Sequence, residues 1–270
     1  MEAVGGLVTI LNIGLGLAIG AKLLRLARLS GGSERWLGLY FLLTFVLGQG
    51  LACFVYVSWT DPDLALPDAV ATPLHGLYLL ASNAGFAAIA VFTRHTFRRD
   101  SWPARAAAAA LVSGLGFALV AQALGEGFAV RVIPGAAYWL GFALRSAALA
   151  WLAAESLRWF VALRRRLRLG LAEPLVTNRF LLLGVWACTM LGMGMSDVVA
   201  RIWYVTSTGS AERWVPELAH SIVLATVSAT SALGIVVATT LFLAFFPTAW
   251  FRRWIENGSG AELAEAAPAK

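Results

Sequence analysis

Charged side chains are scarce in this chain: Asp, Glu, Lys and Arg make up 13% of its 270 residues, against 59% hydrophobic residues and a mean hydropathy of +0.74. That composition excludes a soluble domain, and the apolar residues are spread too evenly for a single anchor. Lysine occurs only at Lys22 and Lys270, so the last apolar segment has none to form a retinal Schiff base. Cysteine occurs only at Cys53 and Cys188. At 1.5 Å rise per residue these lie about 25 Å and about 12 Å from the same side of their segments, a depth difference that excludes a simple disulfide. Histidine occurs at His75, His95 and His220, with no HxxxH pair. His95 stands among arginines and reads as a solvated loop residue. No internal repeat of the kind many transporters carry is present. No basic stretch precedes the first apolar segment, so that segment is expected to act as its own signal anchor.

What the chain does have is seven apolar stretches: about Val4 to Leu24, Leu37 to Tyr56, Leu74 to Phe92, Ala104 to Leu124, Ala136 to Phe160, Phe180 to Tyr204 and Leu218 to Phe246. Each is near or above the roughly 20 residues a helix needs to cross a bilayer. Strands are excluded because an open strand cannot satisfy its backbone in lipid. The expected fold is therefore an all-α, polytopic seven-transmembrane bundle over 1–247, a short interfacial amphipathic helix over 248–257 and a disordered tail over 258–270.

Orientation follows from the basic residues. Seventeen lie in alternate loops and the C-terminus, from Lys22, Arg25 and Arg28 through Arg164, Arg165 and Arg166 to Arg252 and Arg253, while the opposite loops carry only Arg131 and Arg213. The positive-inside rule then predicts an N-terminus out, a C-terminus in and a multi-pass protein of the inner (plasma) membrane. Trp36, Trp102, Trp159 and Trp250 near one predicted interface, and Trp59, Trp139, Trp203 and Trp214 near the other, agree with it. The net charge of +6 is mostly topogenic, which removes the case for nucleic-acid binding. Nineteen arginines against two lysines in an Ala- and Gly-rich chain point to a high-GC, bacterial coding sequence.

Polar residues inside the spans are the candidate site. Asp197 and Arg201 stand four apart in MLGMGMSDVVARIWY and can pair on one helix face. Arg145 lies about 14 Å along the fifth segment, too deep to snorkel easily, with Tyr138 one heptad earlier on the same face. Gln49, Cys53 and Tyr56 share a face of the second segment; His75, Tyr78 and Ser82 share one on the third, with Asn83 adjacent; Asn12 and His220 belong to the first and seventh. All fall in the outer half, so an outward-opening polar chamber is expected, with Arg145, Asp197, Arg201, His75, Tyr78, Asn83, Gln49 and His220 as ligand-binding residues. Two bases sharing one acid favour a small anionic or amphipathic ligand. The rival is a structural Arg145–Asp197–Arg201 triad. No cofactor is expected; the alternatives are a zinc-dependent intramembrane hydrolase built on His75, Asp197 and His220, or haem held by His75 and His220 in a haem-binding or transport protein. The aspartates of DPDLALPD lack the EF-hand spacing and its glycine. Three methionines, Met190, Met193 and Met195, read as packing.

Other features concern surroundings. Gly16 and Gly20 give the first helix a small-xxx-small face for a neighbour or a homodimer. Glu155 and Arg158, three apart, are expected to pair at the inner interface. VALRRRLRLGLAEPLVTNR suits anionic headgroups or an acidic cytoplasmic partner, and TAWFRRWIE suits an interfacial helix. The segments VFTRHTFRRDSW and LAFFPTAWFRRWIE resemble parts of bacterial seven-helix membrane proteins, and the layout is similar to seven-transmembrane sensory and receptor modules with a terminal interfacial helix. The resemblance implies a sensor or receptor-like protein, not itself an enzyme, that signals through a separate cytoplasmic partner. Unlike signalling fusions, nothing in the sequence after residue 257 reads as a kinase, cyclase or DNA-binding module.

Overall fold

The computed structural model describes the backbone of residues 2–30, 32–60, 66–125, 127–128, 134–208, 216–255 and 257; within these, the side chains of 2–5, 30, 55–60, 208, 216–224, 226 and 227 lie outside the description. Among the described residues the regular structure is entirely helical. In chain order the elements are α1 (Glu2–Ser30), α2 (Glu34–Tyr40), a π-helical segment (Phe41–Gly48), α3 (Gln49–Thr60), α4 (Asp68–Phe97), α5 (Trp102–Gly125), α6 (Ala136–Leu167), α7 (Pro174–Thr208) and α8 (Pro216–Phe245). Seven spans are long and apolar enough to cross a membrane, the second composed of α2, the π segment and the start of α3. This fits a multi-pass membrane protein.

Local chemistry explains the helix ends. Proline stands at or just inside the starts of α5, α7 and α8, where its missing N–H costs nothing. Ser101 Oγ accepts from the Ala104 N–H at the head of α5. At the foot of α6, Gly170 takes φ +69°, its N–H bonds the Leu167 carbonyl and the Leu171 N–H bonds that of Arg166, a Schellman cap that closes a basic last turn. Lys22 Nζ donates to the Phe245 carbonyl at 2.8 Å and lies over the Phe246 ring, so α1 supplies the cap of α8.

The helices form a closed circuit: α1 packs on α8, α8 on α7, α7 on α6, α6 on α4 and α5, and α4 on the second span, which returns to α1. α4 is the central helix, with 67% of its apolar window buried, whereas peripheral α5 buries 22%. Leu7, Ile10, Leu17, Phe117, Val120 and Leu124 remain on the outside of α1 and α5, a surface compatible with lipid. Gly16 and Gly20 are spent within the chain: a Cβ on either would meet Phe45 or Leu42 of the second span. The small-residue face of the first helix thus serves an intramolecular contact, and the argument for a homodimer through it falls away.

Toward the end of the bundle that carries the basic loops, Tyr40, Phe41, Phe45, Phe86 and Trp186 pack edge-on or tilted at centroid distances of 5.4–5.9 Å into a buried aromatic core. After α8 a helix runs over 249–255, its Phe251 N–H capped by Thr248 Oγ1. Phe251 and Ile255 are buried, while Trp250 and Trp254 stack on each other and stay exposed. The expected apolar face therefore splits between core and surroundings. The tail over 258–270 lies outside the described residues.

One expected pair is overturned. Glu155 does not pair with Arg158 on its own helix; its Oε1 accepts from Arg98 Nε at 2.8 Å, across to the end of α4. Glu155 points into the bundle and is 8% exposed, whereas Arg158 points out, so the inward carboxylate takes its partner from the facing helix.

Candidate functional site

Above the aromatic core the helices part around a cavity of about 320 Å³. Its floor is Phe45 and Phe86, which belong to that core, and its apolar wall includes Phe142, Leu149, Met190, Met193 and Val237. The polar lining comes from six spans: Asn12 on α1, Thr44 and Gln49 on the second, Tyr78 and Ser82 on α4, Tyr138, Arg145 and Ser146 on α6, Asp197 on α7 and Thr230 on α8. Three of them, one each from α1, α6 and α7, stand at a similar depth. Counting at 1.5 Å per residue, Asn12, Arg145 and Asp197 are about 14–17 Å from the helix ends opposite the basic loops.

Arg145 is the centre of this lining. It is 7% exposed, and its Nη1 donates to Ser82 Oγ at 3.2 Å. Its Cζ lies 5.6 Å from the Tyr138 ring centroid, one heptad back on α6. No carboxylate of the described residues lies within 4.0 Å of it. Asp197 instead accepts from Arg201 Nε through Oδ2 at 2.9 Å, within α7. The Arg201 guanidinium also faces Tyr138, at 5.9 Å. Two cations thus share one aromatic ring, and one acid serves only one of them.

The remaining expected residues separate into two groups. Gln49 and Tyr78 line the cavity with Arg145 and Asp197. His75, Asn83 and Arg201 stand outside the lining. Asn83 Nδ2 donates to the Leu115 carbonyl and so ties α4 to α5. His75 Nδ1–H donates to the Phe128 carbonyl at 2.8 Å, and its ring stacks on Tyr78 at 5.8 Å, so it buttresses a wall from behind. The side chain of His220 lies outside the described residues. Among the described residues no three His, Cys, Asp or Glu side chains converge on a point that could hold a metal ion.

Asn12, Ser82 and Tyr138, named among the polar residues of the expected chamber, line the cavity as well, and Thr44, Ser146 and Thr230 join them. The first three were within reach of the sequence, since Tyr138 is seven residues from Arg145 and Asn12 is the one strongly polar residue inside its span. Thr44 was not. In the π segment the Gln49 N–H bonds the Thr44 carbonyl five residues back, so residues five apart approach one face and the 3.6-residue count fails. Among the described residues the cavity face of the second span is Thr44, Phe45, Gln49 and Ala52, so of the expected face Gln49 lines the cavity and Cys53 does not. Cys53 is half-buried and the Tyr56 side chain lies outside the description. Met190 and Met193 share the cavity face while Met195 is turned outward, as their spacing predicts.

Compared with known proteins, the chain matches no family model, no curated protein and no solved structure.

Proposed function

We propose that this protein binds a small anionic or amphipathic molecule in the chamber around Arg145, with the N-terminus and the chamber mouth outside an inner (plasma) membrane and the basic loops in the cytoplasm. The observation that carries the reading is a buried guanidinium that faces a cavity without a carboxylate of its own. An unpaired cation out of bulk water is unfavourable, and an anionic ligand supplies the counter-charge and accepts forked hydrogen bonds. Ser82 and Tyr138 hold the head of the group in place. The Phe45, Phe86, Leu149 and Met190 surfaces below suit an apolar body. The structural-triad alternative requires Arg145 to engage Asp197, and no carboxylate of the described residues lies within 4.0 Å of Arg145.

Ligand contact draws α4, α6 and α7 toward one point, and α4 and α6 run on to the basic loops. On this reading those loops pass occupancy to a separate cytoplasmic signalling partner, as in a receptor. The test is a thermal-shift screen of small carboxylates and fatty acids against wild type, Arg145→Gln and Asp197→Asn. At 100 times its Kd a ligand adds about 2.7 kcal/mol, a rise of roughly 5–10 °C for a chain of this size. Arg145→Gln should lose that rise. If no anion stabilises wild type, the binding reading fails.

A further inference from the structure

We propose that the cleft between the basic ends of α4 and α6 is a phosphate site, and that the phosphate it takes is that of an anionic phospholipid headgroup. The cleft has a volume of about 300 Å³ and is lined by Phe97 and Arg98 at the end of α4 and by Glu155, Arg158, Trp159 and Arg166 on α6. It is separate from the Arg145 chamber: Glu155 is ten residues farther along α6, about 15 Å by helix rise.

Charge decides the ligand class. The buried Glu155 carboxylate binds Arg98 at 2.8 Å, which neutralises that guanidinium and fixes it at the cleft wall. Arg158 and Arg166 are exposed, eight residues and therefore about two turns apart, and neither pairs with a carboxylate among the described residues. Three guanidinium groups and one carboxylate leave the cleft two positive charges in excess. A phosphate, whose oxygens diverge tetrahedrally, accepts from long guanidinium side chains that reach it from two separate turns better than a planar carboxylate does.

The surroundings decide the source. Trp159 forms a wall of the cleft; its ring lies 6.2 Å from both Phe97 and Phe180 and is partly exposed, and Trp102 stands exposed at the nearby start of α5. Such rings settle at headgroup level, and below them the apolar outer faces of the helices begin, where acyl chains would lie. Basic pockets between spans on the cytoplasmic side suit phosphate-bearing headgroups.

The test uses the full chain purified in non-ionic detergent, with dioleoylphosphatidylglycerol, dioleoylphosphatidylcholine and inorganic phosphate as probes. Bound lipid is counted by native mass spectrometry and stabilisation by thermal shift. Arg158→Gln/Arg166→Gln should bind phosphatidylglycerol about 30-fold more weakly, from roughly one factor of 5 per surface arginine. Arg252→Gln/Arg253→Gln, which removes the same charge from the same end of the bundle, should bind as wild type does. Stabilisation of wild type by inorganic phosphate that competes with the lipid would support the phosphate site and reassign its source to free phosphate. Equal retention of phosphatidylcholine, undiminished binding by Arg158→Gln/Arg166→Gln, or an equal loss in the Arg252/Arg253 variant would overturn the proposal; so would no response to any probe, which would hand the cleft to an acidic protein surface.

Discussion

Arg145→Gln in the ligand-free protein should change stability very little. The substitution removes a charged hydrogen bond to Ser82 and a cation–π contact with Tyr138. Glutamine can keep a neutral bond, so those losses are about 1–2 kcal/mol and about 0.5–2 kcal/mol. Against them stands the relief of an uncompensated charge, a penalty of several kcal/mol for a fully desolvated ion. A cavity of about 320 Å³ has room for on the order of ten waters, which lowers that penalty to about 2–3 kcal/mol. At their midpoints the opposing contributions cancel, and their ranges bound the net change at about 2 kcal/mol and the Tm shift at about 8 °C. A structural triad behaves differently, because breaking a buried pair by deleting one partner costs about 3–5 kcal/mol, or roughly 10 °C or more. Asp197→Asn should cost about 0.5–1 kcal/mol, because the Asp197–Arg201 pair is partly solvated. The assay is the Tm of wild type and each variant in one detergent at one scan rate, since unfolding of such a protein is commonly irreversible. A fall of 10 °C or more for Arg145→Gln without any ligand would show that Arg145 holds the fold together and would refute the reasoning.

Four further outcomes are expected. Gly85→Ala should destabilise by about 1–3 kcal/mol, since a Cβ there collides with Thr44 Oγ1, and Thr44→Ala should rescue it because the next atoms stand at ordinary contact distance; a Tm comparison of the two single variants and the double variant checks this. Arg98→Gln should cost roughly 2 kcal/mol by leaving the buried Glu155 carboxylate without its partner, and Glu155→Gln in the same chain should recover most of that loss in a double-mutant cycle. In a chain whose Cys53 and Cys188 are replaced by serine, Leu66→Cys should react with an impermeant maleimide from outside intact cells and Leu169→Cys only after lysis; the reverse pattern would invert the orientation. Metal analysis and an absorption spectrum of the purified protein should give neither stoichiometric zinc nor a Soret band. A positive result in either that His220→Ala abolished would bring back the hydrolase or haem alternative.

How much could be read from the chain alone differs sharply between architecture and site. All seven spans were legible because a membrane imposes one rule on every helix, a run of roughly 20 apolar residues, and composition carries that rule locally. Arg145, Asp197 and Tyr138 were legible for a related reason: a charge in an apolar run is conspicuous, and residues seven apart share a face. The choice among partners was not legible. Asp197 takes Arg201 rather than Arg145, and Glu155 takes Arg98, 57 residues away, rather than Arg158.

Such choices depend on which helix faces which, and on rotations of a few tens of degrees that a 3.6-residue count cannot supply. The π segment shows the limit most plainly, since one altered hydrogen-bond register lets Thr44 share the cavity face with Gln49, five residues on. Sequence by itself determined that this chain builds a seven-span helical bundle with polar groups inside several spans, because hydropathy and charge act along a single helix. Only the tertiary structure decided which of those groups meet, that two cations share Tyr138, and that Arg145 faces the cavity with no carboxylate of the described residues within 4.0 Å, because pairing is settled by the packing of one helix against another.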